Sequence, residues 1–155
     1  MDSIQEQIVK KIAQAMTLIT IANGYQNTIN SVQRFRASGV DLANMPALLI
    51  KEGGCSVDLA QSSFPTVQRR LELFLVLCVG HDEAVDLRSG DEVLNSFIAD
   101  IESALGANQT WDGLAIMTLP PEYLTVEVDT ETPHLARGLR TEVIYEHVRS
   151  NPWTQ

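Results

Sequence analysis

The chain has 155 residues, 11 of them Lys or Arg and 20 Asp or Glu, for a formal net charge of −9 and a pI near 4.6. An acidic excess of this size argues against a clamp on nucleic acid, which needs a basic face to release counterions from phosphates. The length suits one domain spanning 1–155, and 45% hydrophobic with 20% charged residues is ordinary globular composition, which disfavours disorder and coiled coils.

The opening residues MDSIQEQIVKK place acid before base around no apolar core, so they do not read as a signal peptide, and export is not expected. From residue 3 to 22, Ile4, Ile8, Ile12, Met16 and Ile19 recur at spacings of three and four, the stripe of an amphipathic helix. Ser3 and Glu6 fit a capping box at its start, and Asn23-Gly24 supplies a left-handed stop. In residues 28–36, Ile29, Val32 and Phe35 follow neither period cleanly, and the segment is read as a strand carrying a bulge.

Pro46 to Glu52 reads as a buried strand closed by a turn at Gly53-Gly54. Residues 66–79 put Val67, Leu71, Leu73, Leu75, Leu77 and Val79 on one face, while Phe74, Val76 and Cys78 make the second half apolar on both, as in a central strand. Unbroken, that strand would span roughly 45 Å, well beyond the usual ~17–20 Å, so it is expected to bend or to project as part of a long hairpin. Ser89 and Glu92 form a second capping box, opening a helix over 89–106 with Val93, Leu94, Phe97, Ile98, Ile101 and Leu105 on its apolar face and Gly106 as its stop. Leu124 to Val128 alternates, as do Leu139, Thr141, Val143 and Tyr145, and the two make an antiparallel pair. Pro120-Pro121 lacks two backbone donors and belongs at an edge or a turn. The fold class is therefore α+β: one largely antiparallel, twisted sheet with two main helices packed against it and a long strand or hairpin arm.

Catalytic signatures are missing from the sequence. There is no G-x-S-x-G elbow, and neither a dinucleotide fingerprint nor a P-loop lysine follows Gly53-Gly54. His81-Asp82-Glu83 is the one local cluster resembling a metal site, but consecutive strand residues point to alternate faces. His134 and His147 are isolated and read as polar strand or loop positions; Cys55 and Cys78 read as reduced structural thiols, too few for a disulfide framework. The Leu71–Val79 run is too short to cross a membrane. Asp91 and Glu92 are accounted for by the dipole of a helix start. No catalytic residue, cofactor or metal is expected. Trp111 reads as core packing beneath its loop, and Trp153 either as a tail residue folded back on its own domain or as an anchor in a neighbouring subunit.

Charge is strongly segregated. Residues 1–81 carry seven basic and six acidic groups, residues 82–131 one basic and twelve acidic, and residues 132–155 three basic and two acidic. The middle stretch is a solvated acidic surface, or one that meets a basic partner or lines a passage for DNA; Asp82, Glu83, Asp86, Asp129 and Glu131 are the candidate channel-facing or partner-facing residues.

Several segments carry a resemblance spread over nearly the whole chain. They are the amphipathic helix ending at Gly24, the Ile29–Arg36 strand, the Pro46-Ala47-Leu48-Leu49-Ile50 run, a Gly-bounded loop and the Leu71–Val79 strand. The helix closing at Leu105-Gly106, the Thr110-Trp111-Asp112-Gly113-Leu114 turn and a last strand with Val143-Ile144-Tyr145 complete the set. In this order and at this length the chain resembles the tail terminator (tail completion) proteins of long-tailed bacteriophages. The resemblance implies a structural virion protein, not an enzyme: a six-membered homo-oligomeric ring on the head-proximal end of the tail tube, ending tube polymerisation and offering a surface to the head connector. Its partners would be further copies of itself, the tube protein and the connector, with DNA passing through without specific binding and no membrane involved. Assembly would occur in the host cytoplasm. Trp153 is then a candidate subunit-interface anchor. Rival readings are another neck or head-tail connector component, and a small ligand-binding or enzymatic α+β domain.

Overall fold

The computed structural model describes residues 2–34, 43–80, 87–125 and 134–153. In chain order these form helix α1 (Ile4–Thr17), a single 3-10 turn (Ile21–Asn23), and strands β1 (Ser31–Arg34), β2 (Ala47–Val57) and β3 (Thr66–Gly80). Helix α2 (Gly90–Ala107) and strands β4 (Met117–Thr118), β5 (Glu122–Leu124) and β6 (His134–Val148) follow. The sheet order is β1-β2-β3-β6-β4, with β5 also paired to β6. Every pairing is antiparallel except that of β1 with β2, so the sheet is mixed and the fold is α+β as expected.

The long central strand is β3, and it stays paired with β6 over all fifteen residues, from Thr66 opposite Val148 to Gly80 opposite His134. Residues directly opposite share a face, so Leu71 with Val143, Leu73 with Thr141 and Leu75 with Leu139 all point to the side that carries the helices. Leu48 and Ile50 of β2 extend that face. Ile4, Ile8, Ile12 and Met16 of α1 and Val93, Phe97, Ile98 and Ile101 of α2 complete one continuous core. Burial of these side chains, each worth about 1.5–3 kcal/mol, is the main stabilising term.

Three boundaries differ from the sequence reading. Helix α1 stops at Thr17 because the β-branched run Thr17, Ile19, Thr20, Ile21 is a poor helix former and the Thr20 side chain caps the 3-10 turn; Gly24, at φ 90°, closes that turn instead. Helix α2 runs through Gly106 to Ala107 and is capped at Asn108. Gly53-Gly54 is not a turn: β2 continues to Val57, and the two glycines oppose Glu72 alone between the pairs Glu52–Leu73 and Cys55–Leu71, a β-bulge. A Cβ on Gly53 would lie 2.7 Å from Glu72 Oε1 and 2.8 Å from Phe74, which explains the residue type. The bulge lets the long β2–β3 hairpin change direction.

The weakly patterned segment at 28–36 does contain a strand, β1, at the edge of the sheet, where all four of its residues are half-buried and no face stands out; Phe35 lies outside the described residues. Pro120-Pro121 separates the two-residue β4 from the three-residue β5 on the outer side of β6, the edge position its missing donors require. The pairing of Leu124 with Gly138 agrees with the expected hairpin, while Val126 and Val128 lie outside the described residues.

Candidate interaction surfaces

The five acidic candidates Asp82, Glu83, Asp86, Asp129 and Glu131, and with them the His81-Asp82-Glu83 cluster, lie outside the described residues. Trp153 is 45% exposed. The segment before it folds back on the domain: Arg149 N–H donates to the Pro65 carbonyl at 2.8 Å and Ile4 N–H to the Pro152 carbonyl at 3.1 Å. Asp91 and Glu92 occupy the first turn of α2, where both arms of the Ser89–Glu92 capping box are made. At α1 only one arm exists: the Ser3 hydroxyl accepts from Glu6 N–H at 3.2 Å, but the Glu6 carboxylate turns to Arg34 at 2.6 Å. Both cysteines are free; Cys78 is buried, which raises its thiol pKa, and Cys55 is exposed.

No helix covers the second face of the sheet among the described residues. Its centre is a lattice of charges on β3 and β6. Glu72 and Glu142 stand directly opposite one another, a repulsive placement offset by diagonal arginines. Arg140 reaches Glu72 at 2.6 Å and Glu142 at 3.3 Å, and Arg70 reaches Glu142 at 3.7 Å and Asp58 at 3.3 Å. The Arg140 guanidinium is pushed further up by its hydrogen bond to Glu72.

Two apolar surfaces lie apart from that lattice. The connection between β2 and β3 exposes Leu59 at 78% and Phe64 at 88%. A groove of about 360 Å³ runs between the C-terminal end of α2 and the sheet edge, walled by Leu105, Met117, Leu119, Pro120 and Pro121. Its rim carries Glu102, whose carboxylate accepts from the Tyr123 hydroxyl at 2.5 Å and so raises the phenol's pKa.

At the opposite end of the helical layer, α1 meets the sheet through polar groups. Arg34 of β1 bridges Glu6 of α1 and Glu52 of β2. Gln5 donates to Glu52 at 2.7 Å and accepts from the Tyr145 hydroxyl at 3.2 Å. Burial, and then the Cys55 thiol 3.6 Å away, push the Tyr145 phenol strongly upward, so it is a neutral hydroxyl. His147, 5% exposed, accepts from Arg69 Nε at 2.8 Å through Nε2, which assigns its ring proton to Nδ1, 2.9 Å from the Val148 carbonyl.

Asp100 escaped the sequence reading, which counted it only as one more acidic residue. It is 5% exposed on the inner face of α2 and holds the loop that leads into β1. Its position one residue before Ile101, inside the apolar stripe, was the available signal. Among the described residues no three His, Cys, Asp or Glu side chains gather where a metal ion could sit, and no helix is long and apolar enough to cross a membrane.

The chain matches no protein-family model and no curated protein.

Proposed function

We propose that this chain is a ring-forming tail terminator subunit: a structural virion protein that closes the head-proximal end of a phage tail tube and presents a docking surface to the head connector. The observation that carries this reading is the presence of two unlike exposed apolar surfaces on one chain, the Leu59 and Phe64 hairpin tip and the Leu105–Pro121 groove. A cyclic ring uses a head-to-tail contact, so every subunit must offer two different patches that fit each other. A tip with two bare apolar side chains and a groove of a size to take one meet that need. The element order that resembles the family adds to it.

In this reading part of the acidic stretch between residues 82 and 131 faces the channel or a basic partner, with Asp82, Glu83, Asp86, Asp129 and Glu131 as its candidate residues. A negative lining repels passing phosphates and lets DNA slide without being held. The half-exposed Trp153 is a candidate anchor at the same subunit contact.

Two measurements test the proposal. Negative-stain imaging of the purified protein, alone and with tail tubes, is expected to show annular particles of six subunits at tube ends. Removing the gene from the phage that carries it is expected to give overlong tubes. Finished tails of normal length that fail to join heads would instead support the neck-connector reading.

A further inference from the structure

We infer that the cavity between the start of α1 and the ends of β3 and β6 is an oxyanion-binding site, in which Arg69 and Arg149 hold a carboxylate or phosphate group. The cavity is about 320 Å³ and is lined by Ser3, Gln5, Arg69, Tyr145, His147 and Arg149, closed on one side by Pro152.

Three observations lead to it. The first is how this chain uses its cations. In a protein of net charge −9, Lys10, Lys11, Arg34, Arg70, Arg137 and Arg140 each pair with a carboxylate. Arg69 and Arg149, among the described residues, make no such pair, and both line the same cavity. On α1 and β2, Glu6 and Glu52 are engaged by Arg34, and Asp2 by Lys10.

The second is preorganisation. Among the described residues Arg69 spends only its Nε, on His147 Nε2 at 2.8 Å. His147 is itself buried and fixed through Nδ1 to the Val148 carbonyl. The guanidinium plane is therefore set by a buried imidazole, and the two terminal nitrogens are left as an open fork, the geometry that grips carboxylate and phosphate oxygens in pairs. The third is the remaining lining, which is neutral: Ser3, Gln5 and an un-ionised Tyr145 bring no competing charge, and the Ser3 hydroxyl, which accepts from Glu6 N–H, keeps its own proton to donate. This assignment is independent of the ring reading.

The test is titration of the full chain, in low-chloride buffer, with inorganic phosphate, with acetate and with triglutamate, read from the NMR signals of the Arg69 Nε–H and the His147 ring. A saturable shift is expected with at least one probe, weakened tenfold or more in Arg69→Gln and in Arg149→Gln. Arg69→Lys is expected to fail as well, because an ammonium cannot hold His147 and keep a free fork. Arg137→Gln, which alters a cation already paired with Asp91, is expected to leave the shift unchanged. Phosphate binding without acetate or triglutamate binding would identify a phosphate group as the ligand, and triglutamate binding tighter than acetate would identify carboxylates carried by a protein. The exposed Arg149 side chain can be removed without disturbing the core, so that variant remains informative should Arg69→Gln fold poorly. No saturable shift with any probe, or an equal shift in Arg149→Gln, overturns the assignment.

Discussion

The Asp100 carboxylate accepts two hydrogen bonds from Asn27, one from its backbone N–H and one from its side-chain amide, both at 2.8 Å. A third comes from Gln26 N–H at 3.1 Å. One buried side chain on α2 thus satisfies two loop amides that have no strand partner, and fixes how the chain leaves α1 to enter β1. Asp100→Ala removes charge-assisted bonds and strands buried donors, so a loss of about 3 kcal/mol is expected in urea denaturation. Amide exchange at Gln26 and Asn27 should rise with it. A loss below about 0.5 kcal/mol would mean that water reaches those amides.

The buried Trp111 indole is held by one hydroxyl. Its Nε1–H donates to Thr118 Oγ1 at 2.7 Å, and that hydroxyl donates in turn to the Gln109 carbonyl at 3.0 Å. Trp111 and Asp112 both have positive φ, 49° and 60°, which non-glycine residues keep only where the surroundings fix them. Thr118→Val leaves the indole N–H and a carbonyl without partners and is expected to cost about 2 kcal/mol in thermal unfolding. Thr118→Ser, which keeps the hydroxyl, should cost less than half of that.

The Asp112 carboxyl in the same turn is held below its ordinary value of 3.8, first by the hydrogen bond from Lys11 and then by that from Asn108. Its folded-state value lies below its unfolded one, so the stabilisation is complete above about pH 4 and disappears as pH falls through the folded value. Asp2, depressed by Lys10, has the same sign. Lys11→Met should flatten the fall of Tm between pH 4 and 2 by lowering Tm slightly at pH 7 and leaving it unchanged at pH 2, a small effect because both side chains are well exposed.

Phe64 and the groove residue Gly106 allow a test of head-to-tail assembly by mixing. Phe64→Ser removes an exposed ring and should leave stability unchanged. Gly106→Leu fills the groove, and a Cβ there meets nothing within 4 Å. Each variant alone is expected to lose self-association by about thirtyfold or more, in keeping with ~2–3 kcal/mol for one buried apolar side chain. Mixed, the intact groove of one and the intact tip of the other should give dimers by light scattering. Full-size rings formed by either variant alone would place the subunit contact elsewhere.

Much of the fold was legible because burial is one-sided. The stripe from Ile4 to Met16, the alternation from Val67 to Val79 and the Leu139–Tyr145 series each state a face, and each is buried as read. The misreadings came where local and tertiary forces part. Glycine usually means a turn, yet Gly53 sits in a strand because Glu72 and Phe74 leave no room for a Cβ. Glu6 had the spacing of a capping box, but an arginine 28 residues away competes better for its carboxylate. The interaction surfaces were far less legible. Arg69 and His147 are 78 residues apart and become neighbours only through the β3–β6 register, and no one-dimensional pattern marks an arginine that lacks an acid.

The diproline between β4 and β5 has a consequence for life at high local concentration. A foreign strand approaching that border finds two paired residues, then a gap without donors, then three more. So short and broken a ladder gives a stray chain too few consecutive bonds to latch on, which guards against runaway fibre growth. A contact along that border would have to rest on the shape and chemistry of side chains, a mode of recognition that can stop at a fixed number.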